Sequence, residues 1–107
     1  LNLNKKKVNN MTVLVNLVFP IKPEKLDSFF SMMSETLKET REFDGCISVK
    51  TYHEEGSSNV LLVEEWESFE KQKVYLNWRV ETGLMDVLAE YVSGELSVKK
   101  YLPKENV

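Results

Sequence analysis

The stretch Val60-Leu61-Leu62-Val63-Glu64-Glu65-Trp66-Glu67-Ser68 decides how this chain is read. Side chains alternate across a strand, so Leu62, Glu64 and Trp66 share one face, and Val63, Glu65 and Glu67 share the other. A carboxylate set between Leu62 and Trp66 is one whose pKa burial can raise. That makes Glu64 a candidate proton acceptor. The alternative is a partly solvated sheet carboxylate bonded to a Tyr or an Arg. Upstream, Glu55-Gly56-Ser57-Ser58-Asn59 is a turn that follows an extended run from Cys46 to about His53. The two strands therefore form a hairpin. Downstream, Ser68 suits a helix N-cap, and the helical stretch it opens runs to about Ser93 with a break near Thr82-Gly83.

Further out, Thr12 to Phe19 is a Val-rich strand, apolar on both alternating faces, which predicts cover on both sides. Pro23 suits the first turn of an amphipathic helix from Glu24 to about Phe43, whose stripe is Leu26, Phe29, Phe30, Met33 and Leu37. Asp44-Gly45 ends it. A last strand, Glu95 to Leu102, stops at Pro103. The order β-α-β-β-α-β is the ferredoxin-like split motif, an α+β fold with helices on one face of an antiparallel sheet. The sheet's other face then needs cover, and a homodimer closing sheet on sheet supplies it. Residues 1–10 read as a flexible extension or expression remnant, 11–103 as the folded domain and 104–107 as a tail.

The chain has 107 residues, enough for one globular domain, and 14 Lys and Arg against 17 Asp and Glu leave a net charge of −3. That acidic balance, with no basic stripe, speaks against a nucleic-acid partner. One Cys and one His exclude a disulfide framework, a multi-thiolate metal site and a His-rich cluster. No run approaches the ~20 apolar residues that cross a bilayer. Lys5 to Lys7 ahead of Val13 to Phe19 imitate a signal peptide, but Asn16 interrupts the run and no cleavage site follows, so the expected address is the cytoplasm.

The remaining chemistry lies in a few side chains. Asn16 is a polar residue in an apolar strand, where a buried amide bonds either a ligand or its neighbours. Tyr75, Trp78 and Thr82 share a helix face, and Arg79 follows Tyr75 by four positions. Two aromatics, a phenol and a guanidinium suit an aromatic or anionic ligand. The plainer alternative is a core stripe with an ion pair between Arg79 and a neighbouring Glu. His53 beside Glu54 and Glu55 reads as exposed, and Cys46 as a small buried hydrophobe.

Phe43-Asp44-Gly45-Cys46 before strand two and Glu64-Glu65-Trp66-Glu67-Ser68 closing strand three resemble the antibiotic biosynthesis monooxygenase family, the small dimeric α+β barrels. The resemblance runs from Met11 to Tyr101. It implies oxidation of quinols or phenols by O₂ without metal or flavin, the substrate itself supplying the electrons. It also implies that Trp66 belongs to a pocket between sheet and helices. The chain departs from several branches. Tyr75 stands where many relatives carry a His. Leu62 and Gln72 stand where the aromatic-polyketide branch has Asn and Tyr. Asn16 matches the strand-one Asn of the haem-degrading branch, but Tyr75 and Met85 replace its Trp and its His ligand, which argues against haem degradation. Trp78-Arg79, Glu81 and Gly83 resemble a less-characterised branch.

The expected function is therefore a cofactor-independent oxygenase acting on a small aromatic quinol or phenol, with no metal. Glu64 is the expected base and Tyr75 its catalytic companion. Leu62, Trp66 and Trp78 would contact substrate, Asn16 would bind substrate or peroxide, and Arg79 would attract the anionic form. The competing expectations are a noncatalytic dimeric binding module for an aromatic or anionic metabolite, and an isomerase on the same scaffold.

Overall fold

The computed structural model describes residues 12–107; the extension expected over 1–10 lies outside the described residues. Strand β1 (Val13–Pro20) is followed by a short 3₁₀ turn (Pro23–Lys25) and helix α1 (Leu26–Glu42). Strands β2 (Cys46–His53) and β3 (Asn59–Trp66) form the expected hairpin. Helices α2 (Phe69–Glu81) and α3 (Leu84–Ala89) and the edge strand β4 (Ser97–Tyr101) complete the chain. The sheet order is β2-β3-β1-β4, with every neighbouring pair antiparallel. The α+β fold with a split β-α-β-β-α-β order is as the sequence leads one to expect.

Local chemistry explains the joints. Pro23 opens the 3₁₀ turn, where its missing N–H is no loss. Ser68 caps α2 by accepting a hydrogen bond from the Lys71 N–H at 3.1 Å. Gly83 adopts φ 88° between α2 and α3, a left-handed conformation that places the helix break where Thr82-Gly83 predicts it. β4 is shorter than expected, because only Ser97 to Tyr101 find partners on β1.

Residues Val13, Val15 and Phe19 of β1 are buried under the helices. The register then fixes the rest of that face: Val15 lies opposite Glu64 and Leu17 opposite Leu62. Two apolar clusters form there. One gathers Phe19, Phe29, Met33, Leu37, Val60 and Leu62; the other gathers Val13, Val15, Trp66 and Tyr75. Leu17 packs against both. The other face of β1 is not covered by the helices of its own chain. Leu14 is exposed there, and Asn16 and Val18 are half-buried. The helices form one layer on one side, so within the described chain this second face keeps an open aspect.

Candidate active site

Glu64 is directed inward by the alternation of β3, together with Leu62 and Trp66, and all three are buried. Gln72, Tyr75 and Arg79 follow one another at three and four residues on α2, so one helix face delivers all three to the same layer. They too are buried. Thr40, on the inner face of α1, faces them from the opposite side.

Hydrogen bonds tie these groups together. Trp66 Nε1 donates to Glu64 Oε1 at 2.9 Å. The Tyr75 hydroxyl lies 2.6 Å from Thr40 Oγ1 and accepts from Arg79 Nε at 2.8 Å. Arg79 Nη2 donates to the Thr36 carbonyl at 2.8 Å and to Thr40 Oγ1 at 3.2 Å. Nη1 stands 3.4 Å from Glu39 Oε1, at the surface. The guanidinium also lies over the Trp78 ring, 4.5 Å from its centroid.

Glu64, Gln72, Tyr75 and Arg79 line a cavity of about 210 Å³ between sheet and helices. Its polar lining is Thr36, Glu64, Gln72, Tyr75 and Arg79. The rest is aliphatic or aromatic, including Leu17, Phe19 and Leu62 from the sheet, Met33 and Leu37 from α1, and Leu84 and Leu88 from α3. An apolar cavity with a few convergent polar groups is the usual form of a small-molecule site. Among the described residues, no three His, Cys, Asp or Glu side chains gather as a metal site.

Burial sets the electrostatics. It raises the pKa of Glu64 above the ordinary carboxylate value, against the opposing pull of the Trp66 hydrogen bond and the Arg79 charge. Burial likewise raises the Tyr75 phenol, while the Arg79 and Thr40 hydrogen bonds and the Arg79 charge oppose it and the nearby Glu64 adds to it. Cys46 is pushed up to about 11, first by burial and then by Glu64. That keeps it a thiol, in keeping with its reading as a small hydrophobe rather than a nucleophile.

The structure brings Glu64, Tyr75, Leu62 and Arg79 together on one cavity. Trp66 stands behind it, holding Glu64 and packing 5.1 Å from the Tyr75 ring. Trp78 packs on Phe43 and Arg79, outside the cavity lining. Thr82, expected on the same face, is exposed and bonds the Trp78 carbonyl. Asn16 is not brought to this site. It pairs with Val63 and Lys99, so its side chain belongs to the opposite sheet face from Glu64. Arg79 lines the cavity, but its donors are engaged by Tyr75, Thr36, Thr40 and Glu39 rather than held open for an anion. Thr40 was not singled out by sequence reasoning. The available signal is its position three residues beyond Leu37, on the buried stripe of α1. His53 is exposed, as expected, and bonds the Ser57 carbonyl.

The model of the antibiotic biosynthesis monooxygenase family matches residues 12–80. The chain belongs to this family. Solved structures agree with it in fold. A conserved protein from Methanosarcina mazei superposes with a TM-score of 0.82 at 22% identity, over 92% of this chain and 99% of that one. Rv0793 from Mycobacterium tuberculosis gives 0.69 at 21% identity, over 89% and 97%. The ActVA-Orf6 monooxygenase of Streptomyces coelicolor, solved with nanaomycin D, gives 0.75 at 18% identity, over 94% and 96%. No curated protein matches the chain. The antibiotic biosynthesis monooxygenase match holds every polar residue of the cavity; α3 and β4 fall beyond it.

Proposed function

We propose that this member of the antibiotic biosynthesis monooxygenase family is a cofactor-independent oxygenase that uses O₂ to oxidise a small phenol or quinol. The observation that carries this reading is Glu64, a buried carboxyl at the end of an apolar cavity, held through one oxygen by Trp66. A carboxylate so placed accepts the phenolic proton at close range in a water-poor site. Tyr75, bonded to Arg79 and Thr40, offers a hydroxyl and a nearby positive charge to the oxyanion that forms. Arg79 acts through Tyr75, and Leu62 flanks the ring. Asn16 has no part in this scheme.

The electron balance closes without an outside reductant. The phenolate gives electrons to O₂, one oxygen atom becomes the new ring carbonyl, and the ring C–H and O–H are lost. The second oxygen leaves as water with those two hydrogens. The open sheet face, carrying Leu14, Tyr52 and Tyr101, is the proposed homodimer surface.

The test is anaerobic mixing of the chain with a panel of hydroquinones and phenols, followed by O₂ uptake on exposure to air. Uptake above autoxidation, lost in Glu64→Gln and Tyr75→Phe while ligand affinity is kept, is the expected result. No enzyme-dependent uptake across the panel would sink the oxygenase reading, and ligand binding without uptake would identify a binding module.

A further inference from the structure

We infer that the cavity takes a single-ring phenol or quinol bearing an aliphatic chain, whose chain leaves through a mouth built by Leu76, Met85 and Val98. The inference rests on the proposed reading of the cavity's polar end and adds the shape of the substrate. Three of the residues lining the cavity are also open to solvent: Leu76 at 37%, Met85 at 38% and Val98 at 51% exposure. A lining residue that is also exposed marks the opening. The polar lining residues Glu64, Gln72, Tyr75 and Arg79 are instead buried, so they form the closed end.

The mouth is assembled from three separate elements, α2, α3 and β4, each contributing an aliphatic or thioether side chain. Half-buried Leu84 and Leu96 continue the apolar path inward. A polar group seated against the side chains of the mouth would find no polar side chain there to bond. A hydrocarbon chain instead covers surface that is otherwise exposed to water. Size points the same way. A dry cavity of about 150 Å³ accommodates one benzene, so about 210 Å³ admits one substituted ring, and a longer substituent must pass outward.

A second copy of the chain is the weaker occupant of this mouth. The exposed apolar residues Leu14, Tyr52 and Tyr101 lie on the other face of the sheet, through their registers with β1 and β3, whereas Val98 lies opposite Leu17 on the helix side.

The experiment titrates the full chain, by calorimetry, with 4-alkylphenols from methyl to hexyl and with the matching alkylbenzenes that lack the hydroxyl. Binding is expected to tighten about fourfold for each added methylene that reaches the mouth, and the hydroxyl-free series is expected to bind at least about tenfold more weakly. Met85→Glu and, independently, Val98→Lys are expected to flatten the chain-length dependence; both side chains are exposed enough for a charge to remain solvated. Affinity independent of chain length, with hydroxyl preference kept, overturns the inference and leaves the phenol site standing. Chain-length dependence without hydroxyl preference overturns the phenol reading itself, and with it the inference. Dependence unchanged in both variants overturns the assignment of the mouth, and no binding by either series overturns both readings.

Discussion

Glu64 keeps its proton to higher pH than a free carboxyl, because burial outweighs the Trp66 hydrogen bond and the Arg79 charge. A base acts only once ionised, so O₂ consumption is expected to rise as pH climbs through that raised pKa. Glu64→Gln is expected to remove this limb and lower kcat about 100-fold or more; a pH–rate profile of both proteins checks it. The same shift has a consequence for stability. The folded pKa lies above the unfolded one, so the stabilising contribution is full below about 4.5 and is lost as pH rises through the folded value. Urea midpoints between pH 4.5 and pH 8 are therefore expected to show a smaller loss in Glu64→Gln than in the wild type. Thr40 is the second residue whose role is testable. Thr40→Val leaves Arg79 Nη2 and the Tyr75 hydroxyl short of a buried partner, a loss of about 1–3 kcal/mol in denaturant unfolding, whereas Thr40→Ser keeps the hydroxyl and most of the stability. That Glu64 shares a face with Leu62 and Trp66 was legible because alternation along β3 is local; that this face is the buried one was not. Thr40 was not, because its partners lie 35 and 39 residues away.

At the scale of the element, two glycines with similar backbones are expected to respond differently to alanine. Gly45, between α1 and β2, has φ 93°, and a Cβ there would stand 2.5 Å from Lys71 Cβ on α2. Gly83 has φ 88° with nothing within 4 Å. Gly83→Ala bears conformational strain alone, about 1 kcal/mol; Gly45→Ala adds a clash with the first turn of α2 and is expected to cost clearly more. Thermal or urea unfolding of the two variants orders them. Ser68→Ala, which removes the α2 cap, is expected to cost about 1 kcal/mol by the same measurement. The break at Gly83 and the cap at Ser68 were legible, since both are signalled by residue type at the boundary. The close approach of Gly45 to Lys71 was not. It depends on how α2 docks beside the α1–β2 joint.

Over the whole molecule, one sheet face is covered by helices and the other carries exposed Leu14, Tyr52 and Tyr101. On that open face the Asn16 Oδ1 is buried and finds no hydrogen-bond partner among the described residues. A face with exposed apolar side chains and an unpartnered amide, bordered by Glu65, Lys50 and Lys99, suits closure against a second copy. Sedimentation at micromolar concentration is expected to give a dimer, and Leu14→Glu to shift it toward monomer. A wild-type monomer would remove this assembly. The order of elements, the hairpin, the helix break and the sharing of one β3 face by Leu62, Glu64 and Trp66 were all determined by sequence alone, because turn chemistry and side-chain periodicity act over a few neighbouring residues. Tertiary structure alone decided that Tyr75, Arg79 and Thr40 share one hydrogen-bonded group, that Asn16 faces away from Glu64, and that Leu76, Met85 and Val98, from α2, α3 and β4, all line the one cavity. Those outcomes depend on strand register and helix docking, which set distances between segments far apart in the chain.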